Sequence, residues 1–284
     1  MDAFERAVDA VIDGDARTLA ALLREHPDLV RARSTRITQG DPPVHGATLL
    51  HYLAANGVED ERQRSPANAP AIAKLLLEAG ADPDALCNAY GSRCTTLSLL
   101  VSSTPPANAG VQVPLVHLLI DHGAAVTPFG EGRWTSPLVT ALVFGFADAA
   151  RALVQRGAPV DTLAAAAGLG RAQQVKAMLP SASADDRHRA LALAAQLGHP
   201  EIVAALIDAG EDPNRFNPPG THAHSTPLHQ ASCAGHLAVV KVLIEKGARS
   251  DIKDAIHHAT ALGWAEYCNQ PEIARYLASR GAAS

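Results

Sequence analysis

Long apolar runs are missing from this chain. No stretch approaches the roughly 20 uncharged apolar residues that a membrane-spanning helix needs, so the sequence reads as no membrane protein of that kind. Positive charge is also in deficit. Lys and Arg number 24 against 29 Asp and Glu, the formal charge is −5, and no basic run reverses this locally. Nothing therefore draws the chain to nucleic acid or to an anionic bilayer. Cysteine is sparse: Cys87, Cys94, Cys233 and Cys268 form no CxxC pair and are too few for a disulfide framework. The amino-terminal MDAFERAVDAVIDGDAR carries acids throughout its short apolar stretch, which suits neither a signal nor a transit peptide. A reducing cytoplasm is the expected setting. Aromatics make up 4% of the 284 residues, so any ring that falls in a loop needs an explanation. What is present is a 47% apolar content, enough for a folded chain.

The chain also repeats itself. LLLEAGAD (75–82), LLIDHGAA (118–125), ALVQRGAP (152–159), ALIDAGED (205–212), VLIEKGAR (242–249) and YLASRGAA (276–283) share one form. Each is an apolar, helix-forming segment stopped by glycine. The glycines at 80, 123, 157, 210, 247 and 281 lie 43, 34, 53, 37 and 34 residues apart. The interval of 53 hides a further copy, because AAAAGLGRAQQVKAML (164–179) aligns with ALAAQLGHPEIVAALI (192–207). The interval of 43 reflects inserted residues. ERQRSPANAPAIAKLLL (61–77) and SSTPPANAGVQVPLVHLL (102–119) both carry PANA. Proline there forbids a continuous helix, so each insertion is expected to be a widened turn.

One unit, STPLHQASCAGHLAVVKVLIEK (225–246), displays the local logic. Thr226 can cap the first helix, and Pro227 suits its first position. Leu228 and Ala231 fall on one face; Gly235 permits the turn. Val239, Val240, Leu243 and Ile244 make a buried stripe on the second helix, which Gly247 ends. GARSDIKDAIHHA lacks helical periodicity and is expected to project as a hairpin-like loop.

On these residues the chain resembles an ankyrin repeat protein. TPLH at 226–229, Ala231, GH at 235–236, VVKVLI at 239–244 and GA at 247–248 carry the resemblance. Weaker copies are TLLHYLAANG (48–57), SPLVTALVFGF (136–146) and TALGWAEYCNQPEIARYL (260–277), so that it extends over roughly 48–283. It implies an all-α solenoid of helix–turn–helix units joined by hairpin-like loops. The expected organisation is a single domain, 1–284, with a capping repeat at 1–33 and repeats at 46–85, 94–126, 135–161, 162–180, 189–214, 225–254 and 259–284. One helix pair cannot bury its own stripe; stacked neighbours can. Alanines 164–167 and 194–195 would let helices approach closely.

The resemblance also sorts a histidine-rich run, THAHSTPLHQASCAGH (221–236). It implies that His229, like His51 in TLLH, hydrogen-bonds along the backbone and ties neighbouring loops. His199 and His236 follow the inter-helix glycine, and Cys233 reads as a small packing residue. His222 and His224 remain. In an extended loop they would point the same way, about 6–7 Å apart. With His257 and His258 of the next loop they make a possible zinc ligand set, although no Cys/His spacing of a known zinc module is present. No Walker sequence, GxSxG or HExxH occurs. Gly168-x-Gly170 lies in a turn between helices. Asp82/Asp84 and Glu211/Asp212 occupy ordinary loop positions after a helix-ending glycine, and Cys233 with His229 has a structural explanation already.

A solenoid of this type lines one concave face with its loops and first helices. Tyr90, Phe129, Trp134 and Phe216 fall in loops, with Arg133 and Arg215 beside two of them, which is the residue mix of binding hot spots. Trp264 and Tyr267 read as packing. The unit before 162 has almost no loop and 211–224 is a long one, so the face is expected to have a gap in its middle and a finger near His222. The function expected is a non-catalytic, cytoplasmic, monomeric scaffold that binds a protein through Tyr90, Phe129, Arg133, Trp134, Arg215, Phe216, His222 and His224, without cofactor, nucleic acid or membrane. The alternative is a metal- or small-ligand-binding protein, or an enzyme, that uses His222, His224, His257 and His258.

Overall fold

The computed structural model describes residues 2–39, 42–132 and 134–281. The chain is an all-α array of helical hairpins with one minor two-stranded element, and it divides into two compact units at Pro159/Val160.

Unit 1 holds α1 (Ala3–Asp13) and α2 (Ala16–Glu25), then α3 (Leu49–Tyr52) and α4 (Ala69–Glu78). Next come strands β1 (Cys87–Ala89) and β2 (Ser92–Cys94), helices α5 (Thr96–Leu100), α6 (Thr104–Asn108) and α7 (Gln112–Asp121), and finally α8 (Pro137–Val143) and α9 (Ala147–Gln155). Acidic side chains start the first two helices: Asp2 accepts from the N–H of Phe4, and Asp15 from that of Thr18. Both satisfy a donor that the helix cannot. The first helices α1, α3, α5 and α8 stack in one row, and α2, α4, α7 and α9 in another. Apolar stripes such as Val8 and Val11 of α1 and Ile72 and Leu76 of α4 are buried between them.

The two insertions differ. The first contains a single 3₁₀ turn, Asp60–Arg62, and runs on to α4 as a strap. Arg62 reaches Glu5 (2.8 Å) and Asp9 (3.3 Å) of α1, Arg64 reaches Asp13 (2.6 Å), and Asn68 donates to the carbonyl of Gly14 (2.8 Å). The second is itself helical: Pro105 and Pro106 sit in the first turn of α6, where proline costs no hydrogen bond. A widened turn was expected there; the prolines instead begin a new helix. Buried Gln112 holds the joint after it, donating to the carbonyls of Leu100 (3.0 Å) and Ser103 (3.1 Å).

Strands β1 and β2 are joined by Tyr90 and Gly91, both in the left-handed region (φ 52° and 66°). Such a turn matches the twist of a tight hairpin. The hairpin is flanked by loops on both edges. The N–H of Asn88 donates to the carbonyl of His45 (2.8 Å), and that of Arg93 to the carbonyl of Glu131 (2.9 Å).

Unit 2 has four hairpins: α10 (Leu163–Gly168) with α11 (Ala172–Met178), α12 (Ala184–Gln196) with α13 (Pro200–Asp208), α14 (Pro227–Cys233) with α15 (Leu237–Glu245), and α16 (Ala261–Tyr267) with α17 (Pro271–Ser279). First helices again pack on first helices and second on second. The shared core is small and aliphatic. Ala166, Ala167, Ala190, Ala194, Ala195 and Ala231 are buried with Leu163, Leu191, Val203 and Leu243, so backbones approach where larger side chains would hold them apart.

The first three turns of unit 2 are each locked by the hairpin that follows. His199 lies over Gly170 and its Nε2–H donates to the carbonyl of Gly168 (2.9 Å); His236 lies over Gly198 and donates to that of Gln196 (3.0 Å). A Cβ on Gly198 would come within 2.7 Å of the His236 ring. Glycine is thus required twice over, for its positive φ of 83° and for the ring above it. In the last hairpin Gln270 takes the histidine's place over Gly235.

The TPLH histidine, His229, ties its own helix start to the next loop, while His51 keeps only the contact with its own helix start and its Nε2 has no hydrogen-bond partner among the described residues. The backbone N–H of Thr226 donates to His229 Nδ1 (3.3 Å), and its Oγ1 lies 2.8 Å from the same nitrogen. That fixes the proton on Nε2, which donates to the carbonyl of Ala259 in the next loop (3.1 Å). His51 makes the same contact with Thr48 (3.1 Å from the N–H). Burial pushes the His51 imidazole down to about 4.

One expectation is overturned here. Cys233 is not a packing residue: it is disulfide-bonded to Cys268 across adjacent hairpins, with 5.1 Å between their Cα atoms. Motif spacing gives no sign of the pair. The two lie 35 residues apart, close to one repeat period, so stacking alone brings them opposite each other. Cys87 and Cys94 are buried free thiols.

Candidate partner-binding surfaces

In unit 1 the β1–β2 tip carries Tyr90 with 63% of its surface exposed. A bulky residue with φ of 52° is unusual. The ring is held in place all the same, because its hydroxyl donates to Oδ1 of Asn56 (2.5 Å). Beside it opens a cleft of about 690 Å³ between the 36–39 loop, the 57–63 strap and the hairpin tip. Ile37 projects at its rim, largely exposed, and His45 and Glu59 form part of its lining.

Glu59 is the hub under that cleft, and sequence reasoning missed it. It is buried, and its carboxylate meets Arg36 (3.1 Å), Arg62 (3.1 Å), His45 Nε2 (3.1 Å) and the hydroxyl of Tyr52, which donates to it (2.8 Å). Two guanidiniums and two further polar contacts compensate the desolvated charge. The only signal available was an acid in an insertion, which ordinarily means a solvated loop.

Phe129 is half-exposed, and its N–H donates to the carbonyl of Thr135 (2.9 Å). Trp134 is partly buried and packs on Phe144, with ring centroids 5.3 Å apart. That makes a surface aromatic pair rather than a free-standing loop ring. Arg133 lies outside the described residues.

In unit 2 the sequence candidates gather around two centres. The first is a second buried carboxylate, Glu211, paired with Arg187 (3.1 Å) and approached by Arg215 (3.9 Å) and by His188 Nδ1 (3.8 Å). It is not the ordinary solvated loop acid the sequence suggested. Long helix α12 brings Arg187 and His188 to it, and His188 Nε2–H donates to the carbonyl of Phe216 (2.8 Å). Phe216 is therefore fixed at the backbone while the residue as a whole stays 40% exposed.

The second centre is Trp264. His224 lies 5.7 Å from it and His229 5.4 Å, ring centroid to centroid; His224 also lies 6.1 Å from His222 and 6.5 Å from His257. The loop is not extended as expected: His222 has φ of 54°, so the two histidines meet edge to face across a turn. Asp254 organises this corner. It accepts from the N–H groups of Ile256 (2.9 Å), His257 (2.7 Å) and Ala259 (3.0 Å) and from Trp264 Nε1 (3.0 Å). Burial alone would push its carboxyl up; these donors outweigh that and hold it well below the usual range. His258 is exposed at φ 55°. Among the described residues no three His, Cys, Asp or Glu side chains are placed to hold a metal ion together. Tyr267, expected to pack, is 91% exposed. It ends α16 with its side chain in solvent.

Comparison with known proteins bears on both units. A family model described as "Ankyrin repeats (3 copies)" matches residues 217–283, and one described as "Ankyrin repeat" matches 45–88 and 186–218. The mouse "Ankyrin repeat and SAM domain-containing protein 6" is 36% identical over 103 residues, 36% of this chain and 11% of that protein. The nematode Caenorhabditis elegans "Ankyrin repeat and KH domain-containing protein mask-1" is 30% identical over 221 residues, 75% of this chain and 8% of that protein. Human "Cyclin-dependent kinase inhibitor 2A" is 31% identical over 122 residues, 41% of this chain and 75% of that protein. The chain thus spans about a tenth of the mouse and nematode relatives.

Proposed function

Because the chain belongs to the ankyrin-repeat family, we propose that it is a non-catalytic scaffold that binds a protein partner through exposed loops and first helices. The observation that carries this reading is Tyr90. A tyrosine held by a hydrogen bond, in a backbone conformation that costs energy, and left 63% exposed beside a cleft has no role in the core. Its ordering entropy is already lost, so a partner covering it gains buried area at reduced cost. In unit 2 Phe216 and the Trp264–His224 corner offer a second such surface. Arg215, His222 and His224 would be its polar contacts, and Phe129, Arg133 and Trp134 are the further loop residues assigned to the partner in unit 1. The net charge of −5 favours a protein over a nucleic acid, and a monomer suffices for either surface. A cytoplasmic setting is part of the proposal: Cys87 and Cys94 stay thiols, and Cys233–Cys268 is treated below.

The test is affinity capture from the native cytoplasm with wild type, Tyr90→Ala and Phe216→Ala, each shown by circular dichroism to be folded. A protein retained by wild type and reduced at least tenfold by either variant supports the reading. Equal retention by all three overturns it. So does a stoichiometric metal in protein purified without tag or chelator, if His222→Ala releases it; that result would establish the ligand-binding alternative.

A further inference from the structure

Cys233 ends α14 and Cys268 follows α16, so their bond joins the last two hairpins of the described chain. Both residues are only partly buried, at the surface end of the joint. The amide of Gln270 donates to both cysteine carbonyls, Cys233 (3.4 Å) and Cys268 (3.3 Å). The other cysteine pair provides a contrast within the same molecule. Cys87 and Cys94 are direct partners on β1 and β2, yet they are buried and unbonded. We propose that Cys233–Cys268 is a thiol-exchange site, opened by a small-molecule thiol and closed again by the corresponding disulfide, which sets how firmly α16–α17 is held on α14–α15.

The reaction is balanced by two equivalents of thiol. One thiolate attacks a sulfur of the bond, forms a mixed disulfide and releases the other cysteine as thiolate, which takes up a proton. A second thiolate attacks the outer sulfur of the mixed disulfide, releases the remaining cysteine and leaves as the oxidised thiol dimer. Two electrons and two protons pass to Cys233 and Cys268. Only a bond that solvent thiols can reach exchanges in this way. Burial pushes the Cys87 thiol up to about 12 and the Cys94 thiol up to about 11, so both stay protonated and out of the exchange.

The consequence follows from the stacking. Hairpin α16–α17 packs on α14–α15, its one packed neighbour among the described residues. Besides core contacts, the joint holds His229 to the carbonyl of Ala259 (3.1 Å) and the N–H of Ala255 to the carbonyl of His224 (2.8 Å). The disulfide closes a loop of 35 residues across it. Opening a loop of that size raises local unfolding by up to several hundredfold on chain-entropy grounds. A bond reversible in this way is the form in which disulfides occur in reducing compartments. None of this depends on partner binding.

The experiment uses the full chain, air-oxidised, with and without millimolar reduced glutathione. Maleimide labelling and mass mapping of the native protein are expected to find no reactive cysteine before reduction. Afterwards they should find Cys233 and Cys268 labelled and Cys87 and Cys94 untouched. Hydrogen exchange of amides in 260–281 should accelerate ten- to a hundredfold on reduction, with those in 186–206 unchanged. Cys233→Ser/Cys268→Ser should match the reduced protein and ignore glutathione. If that variant fails to fold, the reduced wild type alone decides. Labelling of Cys233 or Cys268 before reduction, a bond that survives glutathione until denaturant is added, or unchanged exchange after reduction would each overturn the proposal.

Discussion

Unit 1 and unit 2 stack the same kind of hairpin and hold it by different means. In unit 2 the contacts recur at fixed places: a side chain over the preceding turn glycine and alanines between first helices. In unit 1 the contacts are individual. A strap inserted between α3 and α4 reaches back to α1 through Arg62, Arg64 and Asn68, and a buried glutamate gathers Arg36, Arg62, His45 and Tyr52. Unit 2 relies chiefly on repetition, with one buried carboxylate at Glu211, and unit 1 relies on its charged strap and Glu59. Where a sequence departs from its repeat pattern, other bonds must replace what the pattern supplied.

The largest effect expected in breaking this contrast is Glu59→Ala. It leaves two guanidiniums without their shared partner, and urea unfolding should show a loss of about 3–5 kcal/mol. Glu211→Ala in unit 2 should cost less, because Arg215 there is half-exposed and can turn to water. Acid sharpens the same contrast. The His51 imidazole is held down to about 4 in the fold, below its unfolded value of 6.5. Its neutral form is therefore favoured by folding. The stabilisation is complete above pH 6.5 and drains away as pH falls toward 4, to a total of about 3 kcal/mol. His229 shifts the same way but is less deeply enclosed, so hydrogen exchange at pH 5 should rise sooner around 48–55 than around 226–233.

Gly198→Ala and Gly210→Ala form a third, smaller test. Both residues have positive φ, 83° and 97°, but a Cβ at 198 meets the His236 ring and one at 210 meets open space. The backbone term alone should cost Gly210→Ala about 1 kcal/mol. Overpacking should bring Gly198→Ala to about 2–3 kcal/mol in thermal melts. Equal losses would mean that the ring contact contributes nothing. The smallest effect belongs to Arg64→Ala, whose pair with Asp13 is half-exposed on both sides. It should change the denaturation midpoint by less than about 1 kcal/mol, and less still in high salt.

The fold was legible because its units are local. Thr226, Pro227, Gly235 and Gly247 sit where caps and turns demand them, and apolar stripes mark both helices of a unit. The role of His229 followed from the same template. What stayed hidden depends on contacts between units. Cys233 and Cys268 meet because stacking puts one repeat's positions opposite the next's, and Glu59 is buried because its strap folds back over α1; neither fact has a local signature. Tyr267 misled for the opposite reason: it lies in a helix, as packing residues do, but on the side that no neighbour covers. The candidate surface was legible only as a list of loop rings. That Tyr90 is braced by Asn56 and Trp134 leans on Phe144 required coordinates.

The histidine laid over the previous turn has a bearing on how such a chain lengthens. Hairpin α12–α13 carries both parts, a glycine that receives a ring (Gly198 under His236) and a histidine that gives one (His199 over Gly170). A segment duplicated in tandem therefore arrives already able to join both its parent and its successor. Growth needs no newly invented pairing, and at 270 a glutamine amide serves in the place of the ring.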